Sequence, residues 1–93
     1  MNLSEEQIQQ IQDMASALLP ASEIAILLGL SAQERTEFCE IIKNHTNSEV
    51  YMAFHTGRLT TKFELRKTVI KLAKHGSPAA EPIAEKYLRE QMI

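Results

Sequence analysis

An all-α fold is predicted by three features of the chain. Only three Gly and three Pro in 93 residues leave few places for hairpins. No stretch alternates apolar and polar residues with period two, and apolar residues recur at helical spacing through most of the length. Hydrophobic residues are 44% and charged residues 24%, a composition that favours a globular fold over disorder. A chain of this size is expected to form one domain that buries roughly 60–70% of its unfolded surface around a thin core. The expected layout is a three-helix core over 4–43, a long basic helix over 48–75 and a short C-terminal return helix over 78–92.

Helix one opens on Ser4, with Gln7 three residues on, which is a capping box, and Glu5 and Glu6 suit the positive end of the helix dipole. Leu3 and Ile8 are placed to form a hydrophobic staple across the cap. Ile8, Ile11, Ala15, Leu18 and Leu19 then repeat at helical spacing until Pro20 closes the helix. Ser22 is expected to cap a short second helix whose buried face is Ile24, Ala25, Leu27 and Leu28. Gly29 fits the left-handed position that ends a helix, and Leu30 follows it into the core. Ser31 and Glu34 form a second capping box at the start of helix three, with Phe38, Ile41 and Ile42 facing inward.

From Ser48 to His75 only Gly57 interrupts, so one helix of about 28 residues and about 42 Å is expected. Val50, Phe54, Leu65, Val69 and Leu72 share one stripe of it; Met52, Leu59, Phe63 and Ile70 share another. A helix apolar on two sides has two neighbours to meet, and the second stripe is expected to leave a patch that draws in another copy of the chain. The stretch "HGSPAAEP" signals a turn. The last helix then starts either on Ser77 with Pro78 first, or on Glu81 with Pro82 first, and carries Ile83, Ala84, Tyr87, Leu88 and Met92 inward.

Little in the chain suggests catalysis. Cys39 is the only cysteine, and no two of His45, His55 and His75 stand three or four residues apart on one helix face. There is no glycine-rich phosphate loop, paired-carboxylate signature or nucleophile triad. A non-enzymatic protein without metal or cofactor is expected. The N-terminal stretch lacks the basic flank and apolar run of a signal peptide, and no window supplies the ~18 apolar residues of a membrane span. A cytoplasmic protein that meets no membrane is the reading.

Charge is the informative property. The net value is −2. Residues 1–42 carry seven acids against one base, whereas residues 43–75 carry seven bases against two acids. The positive field belongs to that segment, where Arg58, Lys62 and Arg66 follow one another four residues apart and Lys67, Lys71 and Lys74 point outward. Clustered Lys and Arg release counterions from a phosphate backbone and give affinity without sequence information. The bland reading of the same residues is a solvated face whose aliphatic stems cover apolar neighbours.

The stretch "EIAILLGLSAQERTEFCEII" has the spacing of a helix-turn-helix, with small Ala25 at the helix crossing and Gly29 in the turn. That motif wants an aliphatic anchor six positions past the turn glycine; here the residue is Arg35, and Phe38 fits the role better. The helix after the turn carries Glu34, Glu37 and Glu40 against Arg35 and Lys43.

Taken with "AFHTGR" and "LRKTVIKLAKHGSPAAEPIAEKYL", this stretch resembles phage terminase small subunits and their prophage-encoded relatives over roughly residues 10–90. The resemblance rests on Ala53, Gly57 and Arg58 in an A-x-x-x-G-(R/K) segment, and on Ala73, Gly76, Ser77, Pro78 and Ala80 before the final helix. It implies a non-catalytic component that recognises viral double-stranded DNA for a packaging motor and often works as an oligomer. It also implies that Ser31, Gln33, Arg35 and Thr36 face DNA. With the basic residues Arg58, Lys62, Arg66, Lys67 and Lys71, these are the expected DNA-binding set. The competing expectation is a helical assembly module that keeps the fold and does not read DNA.

Overall fold

The computed structural model describes residues 1–91. Those residues form helices α1 (Glu5–Ser16), α2 (Ala21–Leu27), α3 (Ala32–Asn44), α4 (Glu49–Lys74) and α5 (Glu81–Glu90), with no strand among them. The all-α expectation holds. Two compact units are distinguished along the chain, Met1–Thr61 and Lys62–Ile93, the second described as far as Gln91.

In the first unit the caps follow the sequence. The Ser4 hydroxyl accepts from the Gln7 N–H at 3.1 Å, and the Gln7 side chain accepts from the Ser4 N–H at 2.9 Å. Ser31 and Glu34 repeat the arrangement at 3.2 and 2.9 Å, so both helices start with orphan donors satisfied. Leu3 and Ile8 both pack against the edge of the core. The core itself is Ile11 and Ala15 from α1, Ile24 and Ala25 from α2, Leu30 from the turn, Phe38, Ile41 and Ile42 from α3, and Val50, Ala53 and Phe54 from α4. Gly57 lets α4 approach α1: a Cβ at this position would overlap the Gln12 carbonyl and stand 3.1 Å from the Ala15 Cβ, which is the physical reason for a glycine at the end of the A-x-x-x-G segment.

Three helices end in the same way. At the end of α2, the Gly29 N–H bonds to the Ile26 carbonyl and the Leu30 N–H to the Ala25 carbonyl, with Gly29 at φ +76°. The end of α4 does this around Gly76 (φ +88°), and the end of α1 around Leu18 (φ +65°). This last ending differs from the sequence expectation. Helix α1 stops at Ser16 instead of running to Pro20, because a proline clashes with the carbonyl four residues before it and disfavours helix in the residue preceding it. Leu18 turns out to solvent and is not part of the buried face.

Caps and buried faces depart from expectation at other points. Pro20, not Ser22, is the N-cap residue of α2, and no side chain bonds there. Leu27, placed inward by spacing, is 66% exposed, since a seven-residue helix closed by the Gly29 turn buries only Ile24 and Ala25. On α4, Val50 and Phe54 are buried but Leu65 and Leu72 are exposed. The reason is length: α1 spans about 18 Å and α4 about 39 Å, and the burial of α4 ends at Gly57.

The second unit contains the end of α4, a turn over 75–80 and α5. Helix α5 starts at Glu81 with Ala80 as N-cap and Pro82 in its first turn, where proline is tolerated. Residues 78–80, expected to be helical, belong to the turn. Met92 lies outside the described residues. Ile83 and Leu88, expected to face inward, are exposed.

Candidate nucleic-acid interface

In the first unit the residues after the Gly29 turn sit at the N-terminal end of α3, and most of their polar groups are already engaged. The Ser31 hydroxyl and N–H are held by the capping box. The Thr36 hydroxyl donates to the Ala32 carbonyl at 3.3 Å. Arg35 is half-buried, and its guanidinium donates to the Leu30 carbonyl at 2.9 Å. An arginine at this position therefore braces the turn with a charge-assisted hydrogen bond, while Phe38, fully buried, supplies the apolar anchor. Gln33 is exposed and makes no side-chain hydrogen bond among the described residues.

Beside them, Ser22, Ile26, Arg35, Thr36, Cys39 and Lys43 line an open groove of about 610 Å³. Ile26, Cys39 and Lys43 are not part of the DNA-facing set that the sequence suggests. Ile26 lies out of register with the buried face of α2, and that mismatch is the sequence signal of its exposure. The Glu34 carboxyl is held below the ordinary carboxylate range, first by the Ser31 N–H and then by the Ser31 hydroxyl. It stays charged at neutral pH, so the start of α3 carries a fixed anion. Glu40 is partnered by Asn44 at 2.6 Å.

On α4, Arg58 belongs to the first unit and is exposed. In the second unit Lys62, Lys67 and Lys71 are exposed, with the Lys67 ammonium 5.4 Å from the centre of the Phe63 ring. Arg66 differs from them. Its guanidinium bonds to the Glu90 carboxylate at 2.8 Å and lies over the Tyr87 ring at 4.1 Å. Within this unit it ties α4 to α5. The bond from Arg66 is the largest cause of the lowered pKa of Glu90, with Lys62 and Lys86 adding to it.

Other polar side chains serve the fold. The His55 Nε2 donates to the Ile42 carbonyl at 3.1 Å, and its ring packs on Tyr51 with centroids 4.1 Å apart. Thr61 donates to the Ser16 carbonyl at the end of α1. Among the described residues no group of three His, Cys, Asp or Glu is arranged to hold a metal ion, and no helix is long and apolar enough to cross a membrane. Compared with models of protein families, with curated proteins and with solved structures, the chain matches none.

Proposed function

We propose that this protein is a non-catalytic, cytoplasmic binder of double-stranded DNA in which α4 supplies affinity and the α2–α3 segment supplies orientation. The observation that carries the reading is the set of exposed bases on α4, Arg58, Lys62, Lys67 and Lys71, in a chain whose net charge is negative. Bases held in one segment against an overall negative balance are a localised field, which is what counterion release requires. Helix α3, with Glu34 charged at its start, contributes positioning through Gln33 and not a broad phosphate grip. By its sequence resemblance, the protein would play the part of a terminase small subunit, marking viral DNA for a packaging motor.

A second reading, a helical assembly module, is favoured by the capture of Arg66 inside the second unit and by the acids of α3. One titration separates the two. Binding to a duplex is measured at two salt concentrations for the parent and for Arg58→Ala/Lys62→Ala/Lys71→Ala. The DNA reading expects weak sequence preference and a salt slope that becomes shallower by roughly 0.9 for each phosphate the variant no longer neutralises. An unchanged slope removes α4 from the interface, and no binding by the parent at low salt leaves the assembly reading.

A further inference from the structure

Among its described residues the second unit has no core of its own. Of those residues Ala80 alone is buried, and α5 buries none. Yet α4 and α5 run antiparallel around the 75–80 turn and together line an open groove of about 670 Å³. Its floor is apolar: Phe63 and Ile70 from α4, Ala84 and Leu88 from α5, with Phe63 63% and Leu88 68% exposed. Two amphipathic helices with one wet apolar face between them are half of a bundle.

The edges of the groove are charged, and oppositely. Arg66 and Tyr87 touch each other and so mark the inner seam of the hairpin. On α4, Lys67 and Lys74 line the groove seven residues apart, and helical spacing turns both away from the Arg66 face. On α5, Glu81 and Glu85 also line the groove and by helical spacing fall on the side away from Tyr87, Glu85 standing 4.0 Å from the exposed Arg89 guanidinium. The face thus has a basic edge along α4, an acidic edge along α5 and an apolar floor between. A surface of that design is complementary to itself.

We infer that this face is closed by the same face of a second copy, forming an antiparallel four-helix bundle in which α4 of each copy lies along α5 of the other. Two hairpins can meet face to face about a two-fold axis in two ways. An axis across the helices sets α4 on α4, with lysines opposing lysines and glutamates opposing glutamates. An axis along the helices sets α4 on α5, so that Lys67 and Lys74 flank the other copy's Glu81 and Glu85 while Phe63, Ile70 and Leu88 meet in the middle. Like charges set opposite one another are repelled and opposite charges fix the register, so the second arrangement is selected. Pairing of this kind does not depend on DNA binding.

The test is sedimentation of the full chain at high micromolar concentration. The parent is expected as a dimer. Lys67→Glu/Lys74→Glu, and separately Glu81→Lys/Glu85→Lys, should each weaken self-association more than about tenfold, with helicity by circular dichroism retained. Mixing the two variants should restore a dimer, because each then offers the edge the other lacks. Recovery on mixing is not expected of variants that merely misfold. A monomeric parent overturns the inference and leaves a foreign helix as the occupant of the groove. Charge variants that dimerise as the parent does, or that fail to recover when mixed, overturn it as well.

Discussion

Gly57 on α4 packs its backbone against the Gln12 carbonyl of α1, and a Cβ there would collide with that carbonyl and crowd Ala15. This decides between two opposed effects. Helix propensity alone makes Gly57→Ala stabilising by about 1 kcal/mol. Overpacking against a main-chain carbonyl, which cannot rotate away, costs about 1–3 kcal/mol. The collision should win, and a thermal melt of Gly57→Ala is expected to fall below the parent. A higher melting temperature would mean that α1 and α4 do not cross at this residue.

Leu18 and Gly29 occupy the same left-handed position at the ends of two helices, with opposite consequences. A leucine there is strained by roughly 1–2 kcal/mol, and its side chain is half exposed, so little packing compensates. Leu18→Gly should therefore be neutral to stabilising, the relief of strain offset in part by the greater unfolded-state freedom of glycine. Gly29→Val should do the reverse. No atom lies within 4 Å of an added Cβ, so the loss, about 1–3 kcal/mol, comes from the backbone alone. Denaturant midpoints of the two variants that move in the same direction would contradict this account.

How legible was all this in the sequence? Both capping boxes and the Gly29 turn were, because each is a short-range device whose partners lie within a few residues. The inward set of α3 was legible too, since a single face at helical spacing has one reading. Leu18 and Leu27 depart from the spacing because periodicity continues past the point where a helix stops, and only the local geometry of Pro20 and the Gly29 turn sets that point. Leu65 and Leu72 are exposed for another reason: periodicity marks an apolar stripe but does not say how far the covering helices extend. Among the site residues, the exposed lysines were evident from charge and spacing. The tasks of Arg35 and Arg66 were not, because both depend on where a guanidinium folds back.

The capping box at α3 gives stability a pH dependence. The Glu34 carboxyl is held low by bonds made only in the folded state, and it regains its ordinary value on unfolding. Its contribution is therefore complete above the ordinary carboxylate pKa of about 4.3 and is lost as pH falls through the lower folded value. Glutamine can replace Glu34 in a capping box but cannot titrate. The parent should lose stability faster than Glu34→Gln as pH falls below the ordinary carboxylate pKa of about 4.3, and the two should differ least at the acid end. Parallel acid-denaturation curves would remove this carboxylate from the account.

Arg66 offers the sharpest separation between fold and interface. Its guanidinium does two things at once, bonding to Glu90 and covering the Tyr87 ring, and a lysine cannot do both from one planar group. Arg66→Lys keeps the formal charge that a phosphate would feel but should loosen the contact of α4 with α5. The expected result is faster amide exchange over 81–90, together with a duplex-binding salt slope equal to that of the parent. Glu90→Gln should move exchange in the same direction, because the carboxylate is the other half of the bond. Under the alternative, in which Arg66 is first of all a phosphate contact, Arg66→Ala would flatten the salt slope and leave exchange in α5 untouched. That pattern would return Arg66 to the DNA-binding set and leave α5 without its principal tie to α4.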